Sequence, residues 1–560
     1  MEGLERMLAA AKSFLKTEIA IGIFAASFII YWWSIPLQTQ DGPNHKKVAV
    51  TLERLPNSPV ERAVYKSNIG PFMTNELFHL AYLYLSRFVS IDTYEKLFTG
   101  FFLLLLPISY RYFLSVWSPP SLSLWALVLP LLFFPLFIRG MYNFLASVPL
   151  TFVALGLLKK GVESKRIFYL PLFLLCCYFS FLAHPFPFFL LPVCAIFIGV
   201  QQWNKSYFGM YLFILVVFLV LGFFVPLINI TSGIGKVPYR FVSLPGLLLQ
   251  IFNGTFVVYS VPHIIVLTPY FIFLLWLAYY SWRNVAWKHK VYWVACLLML
   301  AFFPNSGRGG AYLNDRFLLF LWCFLPIGIR LVPRLARLVQ VLCVTTFIAH
   351  GAVVWVGMSK VATVVSEVQK ILESVPSFSR LYTINFDSKG PALNYHSLHH
   401  VWAVYDHSKI LFSPNLFAHI DLMPLSRLYP SSPTYFPSLP ENFAELVKEK
   451  KGVERKDLVD TSFLFEREEG YKKLIATASY YDYWLVLGPP PDFVDILESA
   501  PGLRKVAQKG NIYLWHLEKA KAFVPQLPVF WPKLSHITYG KVDMDGFDAE
   551  DHYGEITHDG

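Results

Sequence analysis

The segment best suited to chemistry is Gln40-Asp41-Gly42-Pro43-Asn44-His45, which follows directly on an apolar stretch. A carboxylate there sits at the depth of a lipid headgroup, where it could deprotonate a hydroxyl or hold a divalent ion that does so. Asp-x-Pro equally suits an N-cap and first helical turn, so capping alone would also account for Asp41. His45 falls one helical turn further on and could orient a ligand or that carboxylate. His184, before Pro185 at the end of another apolar stretch, suits either a satisfied interfacial imidazole or a site residue. His396, His399, His400 and His407 gather near Asp406. Their spacing raises a zinc site, but no HExxH is present, and neighbouring Trp402 and Tyr405 fit a polar groove facing a membrane surface equally well.

The elements that must hold these residues are legible in the composition. The 560 residues are 55% hydrophobic and only 15% charged, where a soluble domain carries charge at about a quarter of its positions. The deficit is concentrated in apolar stretches of about 17–22 residues, the length needed to cross about 30 Å of hydrocarbon. The net charge of +11 does not indicate nucleic acid, because Lys and Arg cluster in short loops between these stretches, as cytoplasmic loops require. All six cysteines lie inside apolar stretches, which leaves no disulfide framework in the C-terminal part and no CxxC metal pattern.

Glu18 to Leu37 is too long and too aromatic for a cleaved signal peptide and is read as a retained first span. Arg6, Lys12 and Lys16 before it place the N-terminus in the cytoplasm. The loop 38–95 is then external, and within it Asn75 to Val89 shows helical spacing suited to lying on the outer leaflet. Further spans are expected near 97–115, 121–138, 142–158, 167–183, 186–202, 208–228, 263–282, 291–304, 316–332 and 338–358, giving about eleven in all. The expected architecture is an α-helical polytopic membrane domain over 1–360, a small extracytoplasmic α/β domain over 361–540, and an acidic, disordered tail over 541–560. Val361 to Leu372 reads as an amphipathic helix leaving the membrane. Strands are expected at 380–386, 484–487 and 511–517, and helices at 442–451 and 492–499.

The arrangement resembles the GT-C glycosyltransferases, multi-spanning enzymes that take sugars from polyprenyl-phosphate or polyprenyl-diphosphate carriers. An acidic residue, Asp41, begins the first external loop, interfacial helices follow it, Tyr94-Glu95-Lys96-Leu97 opens the next span, and a soluble part follows the last one. The strings Asp41-Gly42-Pro43-Asn44-His45, Gly140-Met141-Tyr142-Asn143-Phe144 and Ala183-His184-Pro185-Phe186 are similar to those of bacterial members. The resemblance implies sugar transfer to a glycan, lipid or protein acceptor on the outer face of a bacterial inner membrane, with membrane lipids as surroundings. It also implies cations for the carrier phosphate, since Arg forks match phosphate oxygens bidentately. Arg316 is the first candidate, then Arg308 and Arg139, with Lys236 and Arg240 in support; each is also explained as a cation anchored at the interface. Many members carry two adjacent acidic residues in the first loop, whereas this chain has Gln40-Asp41, so a second carboxylate would come from Asp315, Glu76 or Glu95. A divalent cation therefore stays open. A transporter of lipid-linked intermediates and an inactive relative acting in assembly are the alternative readings. The first would need polar sites at mid-membrane depth, where no charged pair is seen.

Overall fold

The computed structural model describes residues 32–201 apart from a few positions, 261–303, 315–386, 400–413, 425–427 and 481–518, with isolated residues elsewhere. Most of the first span, the expected span at 208–228, the helix expected at 442–451 and the 541–560 tail lie outside the described residues.

Among the described residues the chain is mainly helical, and four helices are long and apolar enough to cross a membrane: Ile91–Trp117, Tyr142–Ser164, Ile264–Asn284 and Pro333–Leu372. Tyr169–Ala183 and Pro185–Gln201 are shorter and equally apolar. Exposed Phe101, Ile108, Ile265, Ile272, Leu338 and Ile348 on these helices turn apolar surface outward, as hydrocarbon surroundings require. Pro107, Pro149 and Pro269 sit inside the helices. Such breaks are tolerated where neighbours re-satisfy the backbone.

Two expectations differ from what is found. The stretch expected to cross at 121–138 is not one α-helix: it runs as 3-10 helices Pro119–Val128 and Pro130–Phe133, then a single turn Pro135–Ile138. Prolines at the start of each piece remove backbone donors and reset the helix. Irregular backbone at this depth survives by being enclosed, and Leu124, Val128, Leu132, Phe133 and Ile138 are buried. The stretch expected at 316–332 is helical only over Arg316–Phe324, ending before Pro326. Conversely, the last span and the amphipathic helix after it are continuous. Pro333–Leu372 has 40 residues, or about 60 Å at 1.5 Å per residue, so roughly half of it projects beyond the hydrocarbon.

The projecting half meets a four-stranded sheet. Leu381–Asn385 pairs in parallel with Tyr483–Leu487, which pairs antiparallel with Ile512–Leu517, and that strand pairs antiparallel with Leu503–Lys509 at the edge. The helix Pro491–Ser499 buries Phe493 and Leu497. The first loop is tied to this part of the chain: Tyr65–Ser67 pairs antiparallel with Leu425–Arg427.

Candidate active site

The site is built on the helix Gly42–Arg54, whose first residue follows Asp41. Asp41 occupies the N-cap position, yet its side chain makes no capping hydrogen bond. The carboxylate is turned instead toward His400, with Oδ1 3.6 Å from Nε2. The other ring nitrogen of His400 meets the Asn44 amide at 3.3 Å. An imidazole from the C-terminal part thus bridges two residues one turn apart on the loop helix.

The chain enters this helix pressed against the turn before Tyr142. The backbone N–H of Asp41 donates to Arg139 O at 3.0 Å and that of Gln40 to Ile138 O at 3.1 Å. Gly140 has φ +80°, and a Cβ there would stand 2.7 Å from Gly42 N and 3.0 Å from Asp41 N. Only glycine permits both that conformation and that approach. A side chain on Gly42 would in turn collide with Thr39 and Tyr142.

The similar strings of the sequence converge here. Tyr142 OH bonds Thr39 Oγ1 at 2.7 Å and donates to Glu95 Oε1 at 2.5 Å. Asn143 accepts from Phe78 N–H at 2.7 Å and donates to Asn75 O at 2.8 Å, fixing the second loop helix Leu77–Leu85. Phe144 packs edge-on against His184. His184 Nε2 lies 2.8 Å from Arg316 Nη1, and the Arg316 guanidinium stacks over Phe186 at 4.8 Å. Met141 Sδ completes the contact with Arg316 at 3.8 Å.

Burial keeps the imidazoles of the loop neutral. His400 is pushed down to about 4 by burial, against the opposing pull of Asp41. His45 is pushed down to about 3 by burial and by His400. Its Nδ1 meets His79 Nε2 at 3.3 Å, and His79 is likewise held well below the usual range by burial and by His45. A neutral His400 can donate or accept a proton beside Asp41, according to its tautomer.

The cations divide into two kinds. Arg139 pairs with Asp315 at 3.3 Å. Arg316 is half-buried, its Nε has no hydrogen-bond partner, and it lies within electrostatic reach of both Asp315 and Asp41. A guanidinium kept in that state is suited to receive an anion.

No family model and no curated relative matches the chain. Among solved structures, apo ArnT from Cupriavidus metallidurans superposes with a TM-score of 0.51 at 10% identity, over 90% of this chain and 98% of ArnT. ArnT is a GT-C glycosyltransferase, and the match runs the length of both chains. The chain has the GT-C fold. The mycobacterial arabinofuranosyltransferase AftD is also similar, with a TM-score of 0.46 and 13% identity over 89% of this chain and 41% of AftD.

Within this GT-C fold, the remaining candidates fall in different places. Glu95 is held by Tyr142 and by Lys46 at 3.1 Å. Glu76 is fully buried, with Oε2 accepting from Gly70 N–H at 3.3 Å and Oε1 without a hydrogen-bond partner. Burial raises its carboxyl to about 8. Arg308, Lys236, Arg240, His396 and His399 lie outside the described residues. Among the described residues no group of three His, Cys, Asp or Glu side chains could hold a metal ion. His400 was read from its spacing as part of a histidine cluster for zinc or a polar groove, and its place beside Asp41 was not foreseen. Its signal was the histidine-rich run beside Trp402 and Tyr405, for which a polar groove facing the membrane surface was one of the readings.

Proposed function

We propose that the protein transfers a sugar from a polyprenyl-phosphate or polyprenyl-diphosphate carrier to an acceptor at the extracytoplasmic face of a bacterial inner membrane. The observation carrying this reading is the Asp41 carboxylate turned toward a neutral His400, with the half-buried Arg316 in electrostatic reach. The N-terminus is then cytoplasmic, about eleven spans cross, and residues 361–540 form the outer α/β domain.

In the reaction, the acceptor hydroxyl attacks the anomeric carbon and its proton passes to the Asp41 carboxylate. The bond from that carbon to the phosphate oxygen breaks in the same displacement, with inversion, and the phosphate leaves with the bonding pair. Arg316 neutralises the charge that develops there. His184 and Phe186 hold the guanidinium in place, while His400, itself held by Asn44, faces the carboxylate. Glu95 is committed to Tyr142 and Lys46, and Asp315 shares the field of Arg316 with Asp41.

The test is transfer by purified protein in nanodiscs, offered labelled polyprenyl-linked sugars, with Asp41→Asn beside wild type. Transfer by wild type alone, with carrier binding equal in both, supports the reading. Equal transfer by both removes Asp41 from its role. Carrier binding without transfer by either favours transport or an inactive relative.

A further inference from the structure

A cavity lies at the C-terminal end of the same helix. It encloses about 620 Å³ and is lined by Val50, Glu53, Asn57, Tyr82, Asp92 and His407, among others. That volume falls within the 300–1,000 Å³ typical of small-molecule sites. Glu53 is twelve positions after Asp41, so about 18 Å of helix separates the cavity from the proposed base.

Its charges are already balanced by the protein. Arg54 grips Glu61 at 2.6 Å and the backbone oxygens of His407 and Lys409. Asp92 pairs with Lys46 at 2.7 Å. Tyr82 OH donates to Glu53 Oε2 at 3.0 Å. Burial and the neighbouring Lys47 and Lys46 push His407 down to about 3, which leaves it uncharged at neutral pH. The guanidinium on the wall already holds a carboxylate and two backbone oxygens through its terminal nitrogens, and the carboxylates of Glu53 and Asp92 share that wall, which disfavours phosphate. The carboxylates retain acceptor capacity, since each offers about four lone-pair sites. Asn57 adds an amide at the exposed rim, and Val50 and Ile91 supply an apolar strip. Hydroxyl-accepting groups and an apolar strip lining one cavity match a sugar ring, which has a hydroxyl edge and a C–H face.

We propose that this cavity binds a neutral saccharide, holding a part of the glycan remote from the sugar being transferred. The placement rests on the transfer reading above; the binding does not. The saccharide belongs either to the acceptor or to an extended carrier-linked glycan, and kinetics tell these apart.

The full-length protein in nanodiscs is applied to an array of neutral oligosaccharides, with inorganic phosphate as competitor. Wild type and Asp41→Asn are expected to retain the same glycans. Glu53→Gln, which weakens a charge-assisted acceptor, and Asn57→Trp, which fills the cavity from its rim, are each expected to lose about tenfold or more in affinity. Failure of wild type to retain any neutral glycan, equal retention by both variants, or displacement by phosphate each overturns the proposal. Where transfer is measured, a raised KM for the acceptor in Asn57→Trp assigns the saccharide to the acceptor, and a raised KM for the donor alone assigns it to the carrier. Cavity-dependent glycan binding without any transfer sinks the transfer reading and leaves this one standing. Transfer accompanied by cavity-independent binding does the reverse.

Discussion

The two ends of the helix Gly42–Arg54 are held in opposite ways. At its C-terminal end Arg54 is gripped through its terminal nitrogens, by Glu61 at 2.6 Å and two backbone oxygens of the segment 407–409. At its N-terminal end Asp41 makes no cap bond and faces His400 at 3.6 Å, longer than a hydrogen bond. Between them Asn44 meets His400, and Lys47 lies 3.4 Å over the ring of Tyr405. Positions 41, 44, 47 and 54 recur at helical spacing, so residues 400–409 run along one face of the helix. One segment is thus gripped at one end and presented at the other. The tight end fixes a register that the other end uses, and the Asp41 carboxylate is turned to His400 rather than to a helix cap.

Asp41→Asn should break this contrast most severely. Turnover is expected to fall about 10²- to 10⁴-fold, with thermal stability unchanged, because the carboxylate caps nothing. Single-turnover transfer and a melting curve on one preparation check both halves. Arg316→Ala comes next, with transfer lowered about 10²-fold or more and the loss shared between donor affinity and turnover. Arg316→Lys should restore little, because an ammonium lacks the fork and the stacking over Phe186. Gly140→Ala attacks the contrast from outside the helix. Its φ of +80° and the 2.7 Å approach to Gly42 N leave no room for a methyl group. A stability loss of about 1–3 kcal/mol is expected, with transfer impaired beyond what the residual folded fraction explains. An unchanged melting temperature would show that the turn at Gly140 does not seat Asp41.

Much of this arrangement was legible from residue order alone. Asp41 was singled out because a carboxylate after an apolar stretch can be held at headgroup depth, and Gly140 to Phe144 and His184 because their strings resemble those of a known family. The loop helix at 77–85 and the strands at 381–385, 483–487 and 512–517 follow from hydrophobic spacing. What escaped depends on contacts between distant parts of the chain. Asn44 and His400 are separated by 356 positions, and no periodicity connects them. The enclosed 3-10 path through Leu124 and Phe133 also escaped, because an apolar run signals burial in lipid and burial in protein alike. Its prolines were the available sign that the run would not be one helix.

Lys47, midway along the helix, gives the smallest effect and the finest test of the comparison. Its side chain is 2% exposed, and its Nζ has no hydrogen-bond partner. Burial and the nearby Arg54 hold the ammonium well below its ordinary range, with Glu61 and Asp406 pulling the other way. For a base whose folded pKa is lowered, the unfolded chain binds more protons at every pH between the folded value and 10.5. Stability should therefore climb with pH across that window. Lys47→Met keeps the aliphatic stem and removes the amine, so this slope should flatten while transfer at neutral pH stays within about twofold. If the amine is neutral at pH 7, Lys47→Met should be as stable as wild type or more so, because a buried polar group without a partner has been removed. If it is charged, the contact with Tyr405 is a cation–π pair and its loss should cost about 1–2 kcal/mol. Melting temperatures of both proteins from pH 6 to 10 distinguish the two. A marked destabilisation by Lys47→Met would make the middle of the helix part of the grip at Arg54, and the boundary between held and presented residues would move to Asn44.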